Sequence, residues 1–472
     1  MKRRIISLLM TATFTAFALS ACGGAPAASA TADQAQEASE APAEDAGAEA
    51  AEDAGSEEAA TADVSAEGEH ELSVYAWDAN FNIPALKAAE EAYKNVDPDF
   101  SLNIVEQSGS SDVEQAVTLA ASAGDYSTLP DIVLFQDHWF QKFAADYPDA
   151  WQSLDGADID WNDFGAEKLS YSTINGTHYG APVDNGTAVF AYRTDILEKC
   201  GYTIDDVTGI SWNEWLEIAR KVKDETGMAL LSMDHSGDDL PYMLLQAEGV
   251  SQWKDNTTPD LVGNDTFKRV LEIIVEGAQD GTIILANGWS EYTDQTIVGD
   301  QVAGVMNGNW IIPTIEQVDA NSGKWEITTL PTLDGGKEGY AANGGSSLYI
   351  TANCSKPDLA KAFLAYTFGG GEGSMSTYDS ALKNGGVITT CISAGKSSVY
   401  QEGVDFFNGQ AIYSDIVEMG SHVPVIQQSD FHYNLRTLVG NAITNVVNGA
   451  DIDAEIQSAQ EQIEFEIAGS QN

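Results

Sequence analysis

Basic residues are scarce. The 472-residue chain has 22 Lys and Arg against 73 Asp and Glu, a formal net charge of −51. Phosphate recognition rests on Lys and Arg neutralising charge, so nucleic acid is excluded as a partner, and an anionic membrane surface would repel the chain. Cysteine is nearly absent, with four residues and no C-x-x-C spacing, so no zinc site or disulfide framework is implied. The six histidines are scattered. There is no G-x-S-x-G nucleophile turn, no H-E-x-x-H and no Walker A sequence. The cluster Asp155, Asp158, Asp160 and Asp163 fails the calcium-loop register: Asp163 stands where Gly is required, and Leu169 where a bidentate Glu is required. A solvated acidic loop is the expectation there. Gly369 to Gly373 lacks the Lys-Ser/Thr end of a phosphate loop and reads as a helix stop. No catalytic residue, cofactor or metal follows from these stretches.

Long hydrophobic runs are missing as well. The apolar stretch Ile5 to Leu19 follows Lys2, Arg3 and Arg4 and is too short to span a bilayer comfortably, so residues 1–21 read as a secretory signal. It ends Leu19-Ser20-Ala21-Cys22-Gly23, which resembles the bacterial lipobox, in which the Cys becomes the lipidated first residue. The plain alternative is an ordinary signal peptide with an incidental Cys. Lipidation of Cys22 leaves Cys200, Cys354 and Cys391, an odd set expected to be small buried thiols, with one disulfide still open. Residues 23–69 hold 18 Ala, 13 acidic residues, no basic residue and no aromatic in 47 positions. Such a stretch buries nothing and its like charges repel, so residues 22–69 are expected to form a lipidated, disordered tether. Its random-coil reach is roughly 35–40 Å.

From His70 onward 403 residues remain, with net charge −41. That exceeds what one core usually holds, so two lobes are expected. Leu72 to Trp77, Leu102 to Val105 and Asp131 to Phe135 read as strands, separated by helical patterns starting at Pro84 and Asp112. This β-α-β-α-β order predicts a parallel sheet with ligands beyond its carboxyl edge. Ser211-Trp212-Asn213-Glu214 is a capping box, with Ile210 and Trp215 at the staple positions, which puts Trp212 and Trp215 in the core. Further strands are expected at 187–192, 302–306, 325–329 and 346–351. Further helices are expected after Asp265, from Pro357, and over 433–447 and 452–467.

One set of motifs runs in order along the body. It comprises Asn175-Gly176-Thr177-His178-Tyr179-Gly180-Ala181-Pro182-Val183-Asp184-Asn185-Gly186, then Gly304-Val305-Met306-Asn307-Gly308-Asn309-Trp310, then Leu330-Pro331-Thr332-Leu333-Asp334-Gly335-Gly336. Together these resemble the extracellular solute-binding proteins of bacterial ABC importers, in the carbohydrate-binding branch typified by maltose-binding protein. The resemblance implies an α/β, two-lobe periplasmic-binding-protein-like fold with three hinge crossings, near 183–187, 329–333 and 386–390. Lobe one is then 70–184 with 334–387, and lobe two 185–333 with 388–472. It also implies a non-enzymatic monomer on the outer face of the cell membrane, with a small-molecule ligand and permease subunits as partners.

Sugar recognition calls for aromatic faces together with hydroxyl-binding carboxylates, amides and Arg. The strand ends supply Trp77, Asp78, Asn80, Phe135, Gln136, Asp137, Trp139, Asp184, Asn185, Asn309 and Trp310. By the resemblance, Trp310 is a stacking ring in a Gly-x-Trp turn, and Phe135 takes the place of a strand-end Trp. Phe431-His432-Tyr433-Asn434-Leu435-Arg436 matches a C-terminal recognition helix, contributing His432 and Arg436. His432 stands at a stacking position, a departure that argues against an α-glucan ligand. Each of Trp77, Phe135, Trp139 and Trp310 has core packing as its alternative, and Tyr242, Trp253 and Trp289 have no motif behind them. Two rival functions remain open at this stage: capture of a cationic solute such as a polyamine, suggested by the acidity, and surface glycoside hydrolysis.

Overall fold

The computed structural model describes residues 68–79, 81–235 and 240–470. The signal segment, Cys22 and the tether up to residue 67 lie outside the described residues, as does Asn80.

The body begins with a parallel sheet. Strand Glu71–Ala76 lies between Ser101–Glu106 and Ile132–Gln136, with helices Asn82–Tyr93 and Ser110–Ala123 as crossovers. This is the order that the apolar runs predict. Leu72, Val74, Ile132 and Leu134 enter one apolar cluster, and Tyr75, Val133 and Phe135 enter another, so both faces of the sheet are covered. The Asp131 carboxylate accepts from the Ser73 amide at 2.9 Å and from its hydroxyl at 3.1 Å, which ties two of the strands together. Strand Ser346–Thr351 joins antiparallel to Ile132–Gln136, and Gly180–Asp184 and Trp151–Gln152 both pair with it.

After Asp184 the chain leaves this sheet. Asn185, Gly186 and Thr187 lead directly into Ala188–Arg193, the centre of an antiparallel sheet with Gly304–Gly308 and Trp325–Thr328. Gly186 has φ of 61°, and a Cβ there would stand 2.2 Å from the Asn343 carbonyl oxygen, so this passage requires glycine. Along Ala188–Arg193 the side chains alternate. Ala188, Phe190 and Tyr192 pack with Trp212 and Trp215, while Val189 and Ala191 face the cluster that continues under the first sheet. A parallel pair, Leu231–Asp234 with Ile283–Ala286, completes this half. The chain returns to the first sheet between Thr328 and Ser346, with Leu330 bridged to Gly339. The expected crossing at 386–390 lies outside the strands of both sheets, and its Thr389 makes an isolated bridge to Asp184.

Local signals hold where they are strongest. The Ser211 amide donates to Glu214 Oε2 at 2.8 Å while the Glu214 amide donates to Ser211 Oγ at 3.2 Å, starting the helix Trp212–Thr226. Trp212 and Trp215 are buried, and Trp215 Nε1 donates to the Tyr192 hydroxyl at 3.0 Å. Cys200, Cys354 and Cys391 are buried free thiols. In the acidic loop Asp155, Asp158 and Asp160 are exposed as expected, and only Asp163 departs from that reading. The Asp163 carboxylate accepts from the Ser393 amide at 2.8 Å, the Ser393 hydroxyl at 2.6 Å and the Gly371 amide at 2.9 Å. Burial pushes its carboxyl up, and these donors outweigh it, so Asp163 ends below the usual range and clamps a distant loop. The glycine run likewise does more than stop a helix: Pro357–Phe368 ends there and Gly371–Gly385 starts anew.

Candidate ligand-binding cleft

Strand Ile132–Gln136 runs directly into helix Asp137–Asp146, which puts Asp137 and His138 at the carboxyl edge of the first sheet. Asp137 is expected to hold ligand hydroxyls, and the structure corrects this. Its carboxylate is fully buried, bonded to the Lys168 ammonium, and accepts from the Ser347 hydroxyl at 2.8 Å. Lys168 also donates to the Ser346 carbonyl at 2.8 Å. Asp184 accepts from the Ser346 amide at 3.0 Å, and burial pushes its carboxyl up to about 6 against the pull of Lys168. Burial likewise raises Glu167 to about 7, although the Tyr171 hydroxyl donates to it at 2.6 Å. Three buried carboxylates therefore share one ammonium, and protonating one of them relieves the excess charge.

Next to this ionic knot, rings from the two halves meet. His138 stacks on His432, the first residue of helix His432–Val447, with centroids 4.8 Å apart and planes 11° from parallel. Tyr171 meets the edge of His138 at 4.9 Å, and Tyr242 meets His432 at 4.7 Å. Trp139 lies 5.0 Å from Tyr433, and the Arg436 guanidinium sits 4.8 Å from the same ring. Burial and the positive charge of Arg436 push His138 down to about 3, and burial holds His432 well below its usual value, so both imidazoles are neutral. Gln246 spans the junction, donating to Glu167 Oε1 at 3.3 Å and accepting from the Ala342 amide at 2.9 Å.

Trp310 lies in the turn Asn309–Ile311 that ends strand Gly304–Gly308. The ring is half-buried, and its Nε1 donates to the Asn343 carbonyl at 2.7 Å. Trp289 stands 5.6 Å away, tilted by 43°, and is 46% exposed. Asn343 Nδ2 donates to Asn307 Oδ1 at 2.7 Å and Asn307 Nδ2 to the Tyr292 hydroxyl at 3.1 Å, so these buried amides are spent on each other and on the strand end. The Asn309 amide donates to the Thr187 carbonyl at 2.8 Å, tying this turn to the passage between sheets. Asn185, in that passage, is buried with both side-chain polar atoms unpartnered.

The remaining expected residues fall apart. Phe135 is a second correction: it is 1% exposed and packs against Phe143, Trp151 and Tyr349, because its strand is covered on both faces. Trp77 is half-buried against the same sheet. Asp78 is exposed with φ of 67° and accepts from the Phe81 amide at 3.1 Å, which makes it a turn residue ahead of the helix Asn82–Tyr93. Gln136 is half-buried at the start of the helix Asp137–Asp146.

Residues 85–402 match the model of the bacterial extracellular solute-binding protein family. The chain belongs to that family. This solute-binding protein is 29% identical over 393 residues to a lactose-binding protein of Rhizobium radiobacter, covering 83% of this chain and 92% of the relative. It is 24% identical over 385 residues to an arabinooligosaccharide-binding protein of Bacillus subtilis (strain 168), covering 77% and 84%. A crystal structure of an extracellular solute-binding protein of family 1 superposes with a TM-score of 0.71 at 16% identity, over 84% of this chain and 99% of that one. The two-lobe α/β fold is shared.

Several residues at the junction of this solute-binding protein carry no sequence signal. Lys168 pairs with a carboxylate 31 positions away, and Gln246 with a carboxylate 79 positions away. Such pairs are set by tertiary contact alone. His138 carries only the signal of its position after a strand end, and Tyr242 has no motif behind it.

Proposed function

We propose that this solute-binding protein captures a carbohydrate between its lobes and delivers it to the permease subunits of an ABC importer, without catalysis. The observation that carries this reading is the partly exposed Trp289–Trp310 pair, next to the passage between sheets where the Asn185 amide has both polar atoms unpartnered. Indole faces suit the C–H face of a sugar, and amides suit its hydroxyls. The curated relatives named for lactose and arabinooligosaccharide argue in the same direction and against a polyamine.

In this reading lobe one is 70–184 with 334–387 and lobe two is 185–333 with 388–472, with 386–390 as the third crossing. Trp77, Asn185, Asn309, Trp310 and Arg436 are the ligand contacts carried forward, joined by Trp289. The monomer is held at the outer face of the cell membrane by lipid on Cys22, at the end of its acidic tether. Closure of the lobes buries the ligand, and the closed form is what the permease selects. Thermal-shift screening against a saccharide panel tests this. A ligand at about 100 times its dissociation constant adds roughly 2.7 kcal/mol, a visible rise in melting temperature. Stabilisation by spermidine and by no saccharide would overturn the carbohydrate reading.

A further inference from the structure

The cleft has two unlike ends, joined by residues 343–345. The Asn343 carbonyl pins Trp310 at one end, and the Gly345 carbonyl accepts from the Asp137 amide at 3.0 Å at the other, where His138 follows directly. Gly344 and Gly345 both have φ near +100°. A Cβ would stand 3.2 Å from Trp310 Nε1 at the first and 2.7 Å from Asp137 Oδ2 at the second. The backbone passes close to both groups because neither position carries a side chain.

At the His138 end the two imidazoles are buried against each other, and Trp139 and Tyr433 are half-buried around them. His138 and His432 lie nearly parallel at 4.8 Å, too close for a sugar ring to enter between them. Tyr171 and Tyr242 cover their edges, and Tyr433 is faced by Trp139. Both imidazoles are buried and uncharged, so nothing repels them from this contact. At the Trp310 end Trp289 meets Trp310 at 5.6 Å and Tyr292 at 5.4 Å, but it remains 46% exposed and Trp310 half-buried, so part of this indole surface is left to a ligand.

We propose that His138, Trp139, His432 and Tyr433 plug one end of the cleft, so that the protein selects a mono- or disaccharide seated on Trp289 and Trp310 and gains nothing from a longer chain. The inference rests on the carbohydrate reading above and adds chain-length selectivity to it. The plug residues are then specificity determinants that act by filling the space of further sugar units.

Calorimetric titration of the full chain decides it, with di-, tri- and tetrasaccharides of the lactose-derived, arabino- and malto-series. Within any series that binds, the tetrasaccharide is expected to bind no better than the disaccharide, within about threefold or roughly 0.65 kcal/mol. The pair His432→Ala and Tyr433→Ala, combined, should shift that ratio toward the tetrasaccharide by about tenfold. Tyr433→Ala alone, at a half-buried ring, should shift it in the same direction if the double variant does not fold. A wild-type tetrasaccharide preference above about threefold overturns the plug while leaving the carbohydrate reading intact. Absence of binding to every saccharide overturns that reading and the inference with it.

Discussion

The two ends of the cleft are both rich in aromatic rings, and they differ in how deeply the rings are buried. Around His138 and His432 the two imidazoles are buried face to face beside a fully buried ion pair, with Trp139 and Tyr433 half-buried at their margin. Around Trp310 the rings also meet, Trp289 with Trp310 and Tyr292, yet Trp289 stays 46% exposed. Aromatic composition therefore does not by itself mark a sugar platform. The difference lies in how deeply the opposing half of the molecule buries the rings, and that depends on tertiary placement.

The contrast breaks most severely at the knot. Lys168→Met leaves Asp137 buried without its cation and should cost about 3–5 kcal/mol of stability by urea unfolding, with loss of the ordered His138 end. A cost below about 1 kcal/mol would mean that the pair does not organise that end. The next effect is in pH. Glu167 rises to about 7 in the folded chain from 4.5, so the stabilisation it brings is full below about pH 4.5 and is lost as pH rises to about 7. His138 falls from 6.5 to about 3, so its contribution is present above about pH 6.5 and is lost as pH drops toward 3. Glu167→Gln should therefore raise the melting temperature relative to wild type increasingly between about pH 4.5 and pH 7, levelling off above. A constant difference across that range would rule out titration of Glu167.

At the open end the expected effects fall on binding more than on folding. Trp289→Ala removes an exposed ring and should weaken saccharide binding by about 1 kcal/mol, with stability within about 0.5 kcal/mol of wild type. The smallest effect is expected from deleting residues 23–69, which hold no aromatic or basic residue. Affinity should stay within about threefold, or roughly 0.65 kcal/mol, and a larger change would give that segment a part in binding.

Much of the frame was legible in the sequence because its signals are local. The parallel opening, the Ser211–Glu214 box, the buried Trp212 and Trp215, and the C-terminal helices each follow from periodicity or capping within a short window. The site was legible only in part. Phe135 stands at a strand end, which marks a ligand edge in an open sheet, but Ser346–Thr351 arrives from over 200 residues away and Tyr349 covers the ring. Asp137 looked free because Lys168 is separated from it by a helix and a loop. Asp163 looked solvated because Gly371 and Ser393 come from another part of the chain. Sequence marks where polar and aromatic groups are, and long-range pairing decides which of them remain available to a ligand.

Trp310→Ala tests the central claim most directly, with saccharide affinity and melting temperature measured on the same preparation. The account predicts a loss of about 1–3 kcal/mol in binding, and a loss of stability well short of the 3–5 kcal/mol that follows removal of a fully buried Trp. Unchanged affinity together with a large fall in melting temperature would place Trp310 in the core and contradict the account.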